Sequence, residues 1–213
     1  MEVAIVGGHG KVALLLGGIL VERGNAVWGL IRDPAQEDDL HAAGVEPVIC
    51  DLERDHDLHA AVRGADAVVF AAGAGPGSGA ERKRAVDLGG AVKLIDAAKA
   101  EGISRFVTVS SMGAAKPPAE GGDVFGEYLR AKAEADRALE ASGLDYTIVR
   151  PGGLTDDPGT GLVQVGDGLD RGQVPRADVA AVLAAVLETP GSVGKAFEVI
   201  SGEVPIEQAV ASL

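Results

Sequence analysis

The chain has 213 residues, with 19 lysines and arginines against 32 aspartates and glutamates, a net charge of −13. That length fits one α/β domain with room for a small appendage, and it lets a full core be buried without covalent staples. The acidic balance opposes attraction to a phosphate backbone, so nucleic acid is not an expected partner, and an anionic cofactor would need local positive charge.

The chain opens on an apolar run, Val3-Ala4-Ile5-Val6, that breaks into Gly7-Gly8-His9-Gly10-Lys11-Val12-Ala13. A strand entering a glycine turn and then a helix is how a dinucleotide pyrophosphate is held: small residues let backbone approach phosphate, and the helix N-terminus offers unpaired N–H groups. The helix carries Val12, Leu15, Leu16, Ile19 and Leu20 on one apolar face and ends at Gly24-Asn25. Its longest apolar stretch, Val12 to Leu20, is too short and too glycine-interrupted to span a bilayer, so a soluble protein is expected. A second strand over 26–31 delivers Arg32-Asp33 to the position that reads an adenosine ribose. A guanidinium there binds a 2′-phosphate bidentately, which favours NADP; Asp33 as the ribose acid would favour NAD, and Arg32 pairing with Asp33 or Glu37 would favour neither.

A third strand over 45–49 leads to Cys50, the lone cysteine, which excludes an intramolecular disulfide and fits a reducing compartment, with the cytoplasm as the expectation. Cys50 lacks an activating neighbour in sequence and reads as a small apolar residue. Asp55 is expected to cap a helix running to Arg63, with His56 and His59 on its wet face rather than in a metal site with Asp55 and Asp57. Further strands are expected over 67–72, 105–110, 145–149 and 196–200, with Trp28 and Tyr146 as packing residues. Helices lie between them. One contains Leu88, Ala91, Val92, Ile95 and Ala98 and stops at Gly102; another runs from Phe125 to Ser142 and stops at Gly143; a third carries Val179, Val182, Leu183, Val186 and Leu187, with Asp178 as its cap.

This alternation predicts a doubly wound parallel sheet, α/β, in a single domain over 1–213, with 151–195 contributing a small substrate-side lobe. Gly73 to Gly79, and Gly113 to Gly122 with Pro117-Pro118, follow strands and would lie at the sheet's carboxyl edge, where such folds bind ligands. The irregular region from Thr155 to Arg176 is expected to hold one short strand at Leu162–Val165.

Taken together, the chain resembles the atypical short-chain dehydrogenase/reductases, small NAD(P)-binding Rossmann proteins grouped with NmrA-like and flavin-reductase-like members. The likeness is carried by the glycine segment Val6 to Ala13, Arg32-Asp33-Pro34, Asp51-Leu52, Gly64 to Val68, Val109-Ser110-Ser111, Tyr128 with Lys132, and Ser142 to Gly152. Ala13 departs from the pattern, where a third glycine is frequent, but alanine still permits close helix packing. The resemblance implies a pyrophosphate over Gly7, Gly8 and Gly10, with the backbone of His9, Lys11 and Val12 turned toward it. It further implies Asp51 and Leu52 beside the adenine, Ala71, Ala72 and Gly73 along the ribose, and Pro151, Gly152, Gly153 and Leu154 at the far end. Arg176 and Asp178 resemble a helix-opening element of the family.

Tyr128 and Lys132 stand four apart and share a helix face, which the resemblance places on the nicotinamide, with Lys132 also at the cofactor. In that reading Tyr128 exchanges a proton with the substrate oxygen, Lys132 supplies charge, and Ser111, rather than Ser110, orients the substrate. An ammonium about 4 Å away acts strongly on a phenol only in a partly dehydrated pocket. The expected activity is hydride transfer between NADP (NAD is the alternative) and a small carbonyl, quinone or flavin-like substrate. The alternatives are a silent NADP(H) sensor, in which Tyr128 and Lys132 are surface residues, and an epimerase or dehydratase of a sugar-type substrate. About sixty residues after Pro151 are few for gripping a nucleotide sugar. A small-molecule substrate is the only partner expected, without metal, nucleic acid or membrane; substrate identity and oligomeric state are not legible.

Overall fold

A strand covered by helices on both faces reads as an unbroken apolar run, and the first and fourth strands show it: Val3 to Val6 and Ala67 to Phe70 are all at 0–1% exposure. The computed structural model describes residues 1–55, 57–75, 77–119 and 123–213. In chain order the elements are β1 (Glu2–Val6), α1 (Lys11–Glu22), β2 (Ala26–Ile31), α2 (Glu37–Ala42), β3 (Glu46–Ile49), α3 (His59–Val62), β4 (Ala67–Phe70) and α4 (Ala80–Lys83). A π-helical segment, Arg84–Gly89, leads into α5 (Gly90–Ala100), followed by β5 (Arg105–Val109), α6 (Val124–Glu140), β6 (Asp145–Pro151), β7 (Gly153–Thr155), β8 (Leu162–Gly166) and β9 (Gln173–Pro175). The chain finishes with α7 (Arg176–Glu188), β10 (Lys195–Ser201), β11 (Val204–Pro205) and α8 (Ile206–Ala211).

The main sheet has the order β11-β8-β10-β6-β5-β4-β1-β2-β3. From β3 to β10 every pairing is parallel, while β8 runs antiparallel to β10 and β11 to β8. This is the doubly wound Rossmann arrangement, with strand order reversing between β1 and β4. One core layer joins α1, α7 and α8 to one sheet face; the other joins α5 and α6, through Leu94, Ile95 and Leu139, to the opposite face.

The expected strands are present, with β4 and β5 ending slightly early. Ala71 N–H still bonds Val6 O at 3.0 Å and Ser110 N–H bonds Val149 O at 2.8 Å, so these residues leave the sheet as its first loop positions. The α1 face is turned from the expected one: Val12, Ala13, Leu16, Gly17 and Leu20 are buried, whereas Leu15 is 42% exposed. Asp178 is not a cap. It lies inside the first turn of α7, and its carboxylate accepts from Thr160 N, Thr160 Oγ1 and Gly161 N at 2.8–3.0 Å, tying the loop before β8 to the helix. Asp55 does not cap α3 either; it accepts from Asp51 N–H at 2.6 Å, and Asp57 accepts from His59 N–H at 2.8 Å. The β7–β9 pair, a parallel sheet of two three-residue strands, was too short for a periodic signal.

Candidate cofactor cleft and catalytic face

The cleft lies beyond the carboxyl ends of β1 and β4, at the point where the sheet order reverses. It encloses about 360 Å³ and is lined by Gly7, His9 and Gly10 after β1, Arg32 after β2, Cys50 to Glu53 after β3, Ala71 to Gly75 after β4, and Arg82 of α4. Gly7 has φ +83, and a Cβ there would lie 2.7 Å from Ala72 Cα; only glycine lets these two connections converge. Gly8 faces the other way. Its N–H donates to Leu30 O at 2.9 Å, and a Cβ would stand 2.7 Å from Gly29 Cα, so it seats the turn on β2 instead of lining the cleft. No side chain caps the start of α1, which leaves its first-turn amides available to an anion. The side chains of His9 and Lys11 are taken by carboxylates, His9 Nε2 lying 2.7 Å from Asp39 and Lys11 Nζ 2.6 Å from Asp156, while Val12 packs into the core.

At the adenosine end Arg32 pairs with neither Asp33 nor Glu37. Its Nη1 lies 3.4 Å from Glu53 Oε2, and Asp33 Oδ1 instead accepts from Ala35 N–H at 3.0 Å, closing its own turn. Arg82 holds the same Glu53 oxygen, Nε at 3.2 Å and Nη2 at 2.9 Å. Glu53 is itself placed by a turn in which Asp51 Oδ1 accepts its N–H at 2.9 Å. Glu53 and Arg82 were missed from the sequence because their convergence depends on three connections; the Asp51-x-Glu53 turn was the one local signal. Cys50 is buried behind this turn, and burial, with the carboxylates of Asp55 and Asp51, pushes its thiol up to about 12.

Outside this lining, α6 carries Tyr128, Lys132 and Asp136 at i, i+4 and i+8, one above the other. Lys132 is buried. Its Nζ donates to Val109 O at 3.0 Å and to Ala72 O at 3.4 Å, and stands 3.1 Å from Asp87 Oδ1 without an aligned N–H bond. Burial alone would lower the Lys132 pKa, but the Asp87 carboxylate, with Tyr128 and Asp136 beyond it, outweighs burial and holds it above the ordinary lysine value. Asp87, itself at 0% exposure, is delivered by the π-helical segment and also accepts from Ala74 N–H at 3.2 Å, joining the lysine to the strip that lines the cleft. Ser110 is committed elsewhere: its hydroxyl donates to Asp136 Oδ2 at 2.9 Å, which Arg150 Nε also reaches at 3.0 Å. Ser111 is half-buried, and its hydroxyl makes no hydrogen bond to another described residue. The Tyr128 ring is half-buried, 5.9 Å from that of Phe125, with Lys83 Nζ 5.1 Å from its centroid.

Pro151 closes β6 and Gly153 and Leu154 open β7; with Gly152 between them, these four do not line the cleft, and neither do Lys132, Tyr128 and Ser111. Beyond them a second cavity of about 430 Å³ is lined by Thr155, Asp157, Thr160 and Gln173. Arg176 binds Asp156 at 2.8 Å. Of the histidines weighed as metal ligands, His59 is partly exposed near Asp57 and Glu101, and His56 lies outside the described residues, as do 120–122 of the Gly113–Gly122 loop and Pro76 of the Gly73–Gly79 loop. Among the described residues no three His, Cys, Asp or Glu side chains are grouped to hold a metal, and no helix is long and apolar enough to cross a membrane.

Comparison with known proteins agrees with this geometry. The profile described as NAD(P)H-binding matches residues 7–190. The chain is 38% identical over 215 residues to the Bacillus subtilis (strain 168) "Uncharacterized sugar epimerase YhfK", with 100% of each covered. It superposes on a putative NAD-dependent epimerase/dehydratase from Bacillus halodurans with a TM-score of 0.94 at 40% identity, 100% of each chain covered. For the oxidoreductase ylbE from Lactococcus lactis the TM-score is 0.86 at 29% identity, covering 100% of this chain and 96% of that one. With its glycine turn at the reversal of a doubly wound sheet, the chain belongs to the NAD(P)H-binding family, within the atypical short-chain dehydrogenase/reductase-like Rossmann proteins.

Proposed function

We propose that this NAD(P)-binding oxidoreductase uses NADP(H) to reduce or oxidise a small carbonyl, quinone or flavin-like substrate, with Tyr128 as its proton donor and acceptor. The observation that carries the reading is the buried Lys132 ammonium, kept charged by Asp87 one helical turn from Tyr128. The residues fit the cofactor: Gly7 clears the approach to Ala72, uncapped amides of α1 suit phosphate, and Arg32 and Arg82 suit a further anionic group. When bound, the nicotinamide supplies or accepts a hydride. Tyr128 Oη gives a proton to the substrate oxygen in the reducing direction and takes it back in the other. Lys132 acts through its charge, because its Nζ already donates to Val109 O and Ala72 O and stands against the Asp87 carboxylate. Ser111 orients the substrate oxygen, since Ser110 is held by Asp136. The segment 151–195 forms the substrate-side lobe, and the lone Cys50 fits work in the cytoplasm.

The test is a panel of quinones, flavins, aldehydes and ketones with NADPH, following loss of the reduced cofactor's absorbance. Tyr128→Phe is expected to cut turnover by about 10²-fold or more while NADPH affinity is kept; unchanged turnover removes the role. The names of two relatives favour a second reading, an epimerase or dehydratase, and one of the two names gives a sugar as what it acts on. Such an enzyme returns its hydride and consumes no NADPH, so the same panel separates the two. Saturable NADPH binding with no reaction on this panel, and no conversion of sugars assayed directly, supports the sensor.

A further inference from the structure

The ion cluster at the mouth of the cleft places one anionic oxygen between two guanidiniums. Glu53 Oε2 lies 3.4 Å from Arg32 Nη1 and 2.9 Å from Arg82 Nη2, and all three residues line the cleft. Each comes from a different connection, after β2, after β3 and in α4, so nothing local explains why they meet. The side chains are 53%, 38% and 33% exposed for Arg32, Arg82 and Glu53. Ion pairs this wet contribute little to folding, which leaves the convergence without a structural purpose.

We infer that Glu53 is an internal stand-in for the 2′-phosphate of NADP(H): Arg82 is the second arginine of that subsite, and the carboxylate occupies it until the cofactor arrives. The inference rests on the NADP reading above. A phosphate monoester carries about −1.5 to −2 charges near neutrality and offers three acceptor oxygens, so it satisfies two guanidinium forks better than one carboxylate does. The two anions cannot share the space. Two arginines and Glu53 sum to +1, and a phosphate dianion added to them leaves −1 with like charges in contact. Glu53 therefore turns away as the phosphate enters; the hydrogen bond that closes its turn, from its backbone N–H to Asp51 Oδ1, holds the backbone and not the side chain. Glu53 thus weakens NADPH binding and leaves NADH, which brings no charge to this spot, little affected. Arg82 acts in the opposite sense.

Calorimetric titration of NADPH and NADH into wild type, Glu53→Gln and Arg82→Gln tests both assignments, with NADH reporting on the intact remainder of the cleft. The expected result is wild type preferring NADPH more than tenfold, Arg82→Gln losing about tenfold for NADPH, and Glu53→Gln gaining about fivefold. Both variants should bind NADH within about twofold of wild type. Wild type preferring NADPH while Arg82→Gln leaves its affinity unchanged overturns the inference and spares the NADP reading. Equal wild-type affinities overturn the NADP reading itself, and the inference with it. A several-fold loss of NADH affinity in Glu53→Gln identifies the carboxylate as an acceptor for the ribose 2′-hydroxyl and also overturns the inference.

Discussion

A lysine at 4% exposure is tolerable only because an aspartate at 0% faces it. Breaking such a pair leaves one buried charge uncompensated, so Lys132→Met should cost roughly 3–5 kcal/mol by urea denaturation, and Asp87→Leu combined with Lys132→Met should recover most of the loss. The pH dependence has a definite sign. The folded Lys132 value lies above the unfolded one, so its contribution is complete below about pH 10 and is lost as pH rises through the folded value. In Asp87→Asn burial wins, the ammonium is penalised at neutral pH, and the deficit relative to wild type should shrink as pH climbs past about 10. A deficit independent of pH would show that Asp87 matters by shape alone. Cys50 makes a simpler case: a buried thiol pushed up to about 12 is almost never a thiolate. Its alkylation by iodoacetamide at pH 8 should run more than ~100-fold slower than that of a free peptide thiol.

At the scale of elements, α7 is nearly all apolar and buried, so its carboxyl end has few polar groups of its own to satisfy. Arg105 does this from the start of β5. Its guanidinium donates to Asp145 O, Val186 O and Ser192 Oγ at 2.7–3.1 Å, and burial, only partly offset by Asp145, lowers its pKa. A cation on the last carbonyls of a helix is favoured by the helix dipole. Arg105→Ala should therefore lower stability by about 2 kcal/mol, seen as a lower urea midpoint with an unchanged slope. None of this was visible in sequence, where Arg105 stood as a strand-opening residue 81 positions from Val186. The strands themselves were legible because buried parallel strands are continuous apolar runs, and the helices because glycines end them. What failed were the short helices α2, α4 and α8 and the two- and three-residue strands β7, β9 and β11, and acidic residues such as Asp178 and Asp55 whose partners are loops packed against them.

For the whole molecule, a charge of −13 sets the problem of admitting an anionic cofactor; among the residues of the cleft Arg32 and Arg82 carry positive charge, and the first turn of α1 has no side-chain cap. The glycine turn and the Tyr128–Lys132 pair were readable from spacing. The Glu53–Arg82 contact and the Asp87 partner of Lys132 were not, because each joins connections brought together only by sheet order. The cleft likewise belongs to no single segment: β1, β2, β3 and β4 each contribute their following loop. A ligand held by all of them stabilises the fold as a unit. At about 100 times its dissociation constant, NADPH should add ~2.7 kcal/mol, which for a chain of this size raises the melting temperature by about 5–10 °C. Gly7→Ala should abolish most of that rise, since φ +83 and the 2.7 Å approach to Ala72 leave no place for a Cβ without moving the strip that lines the cleft. A full thermal shift in Gly7→Ala would mean that the cofactor does not depend on the convergence of the β1 and β4 loops.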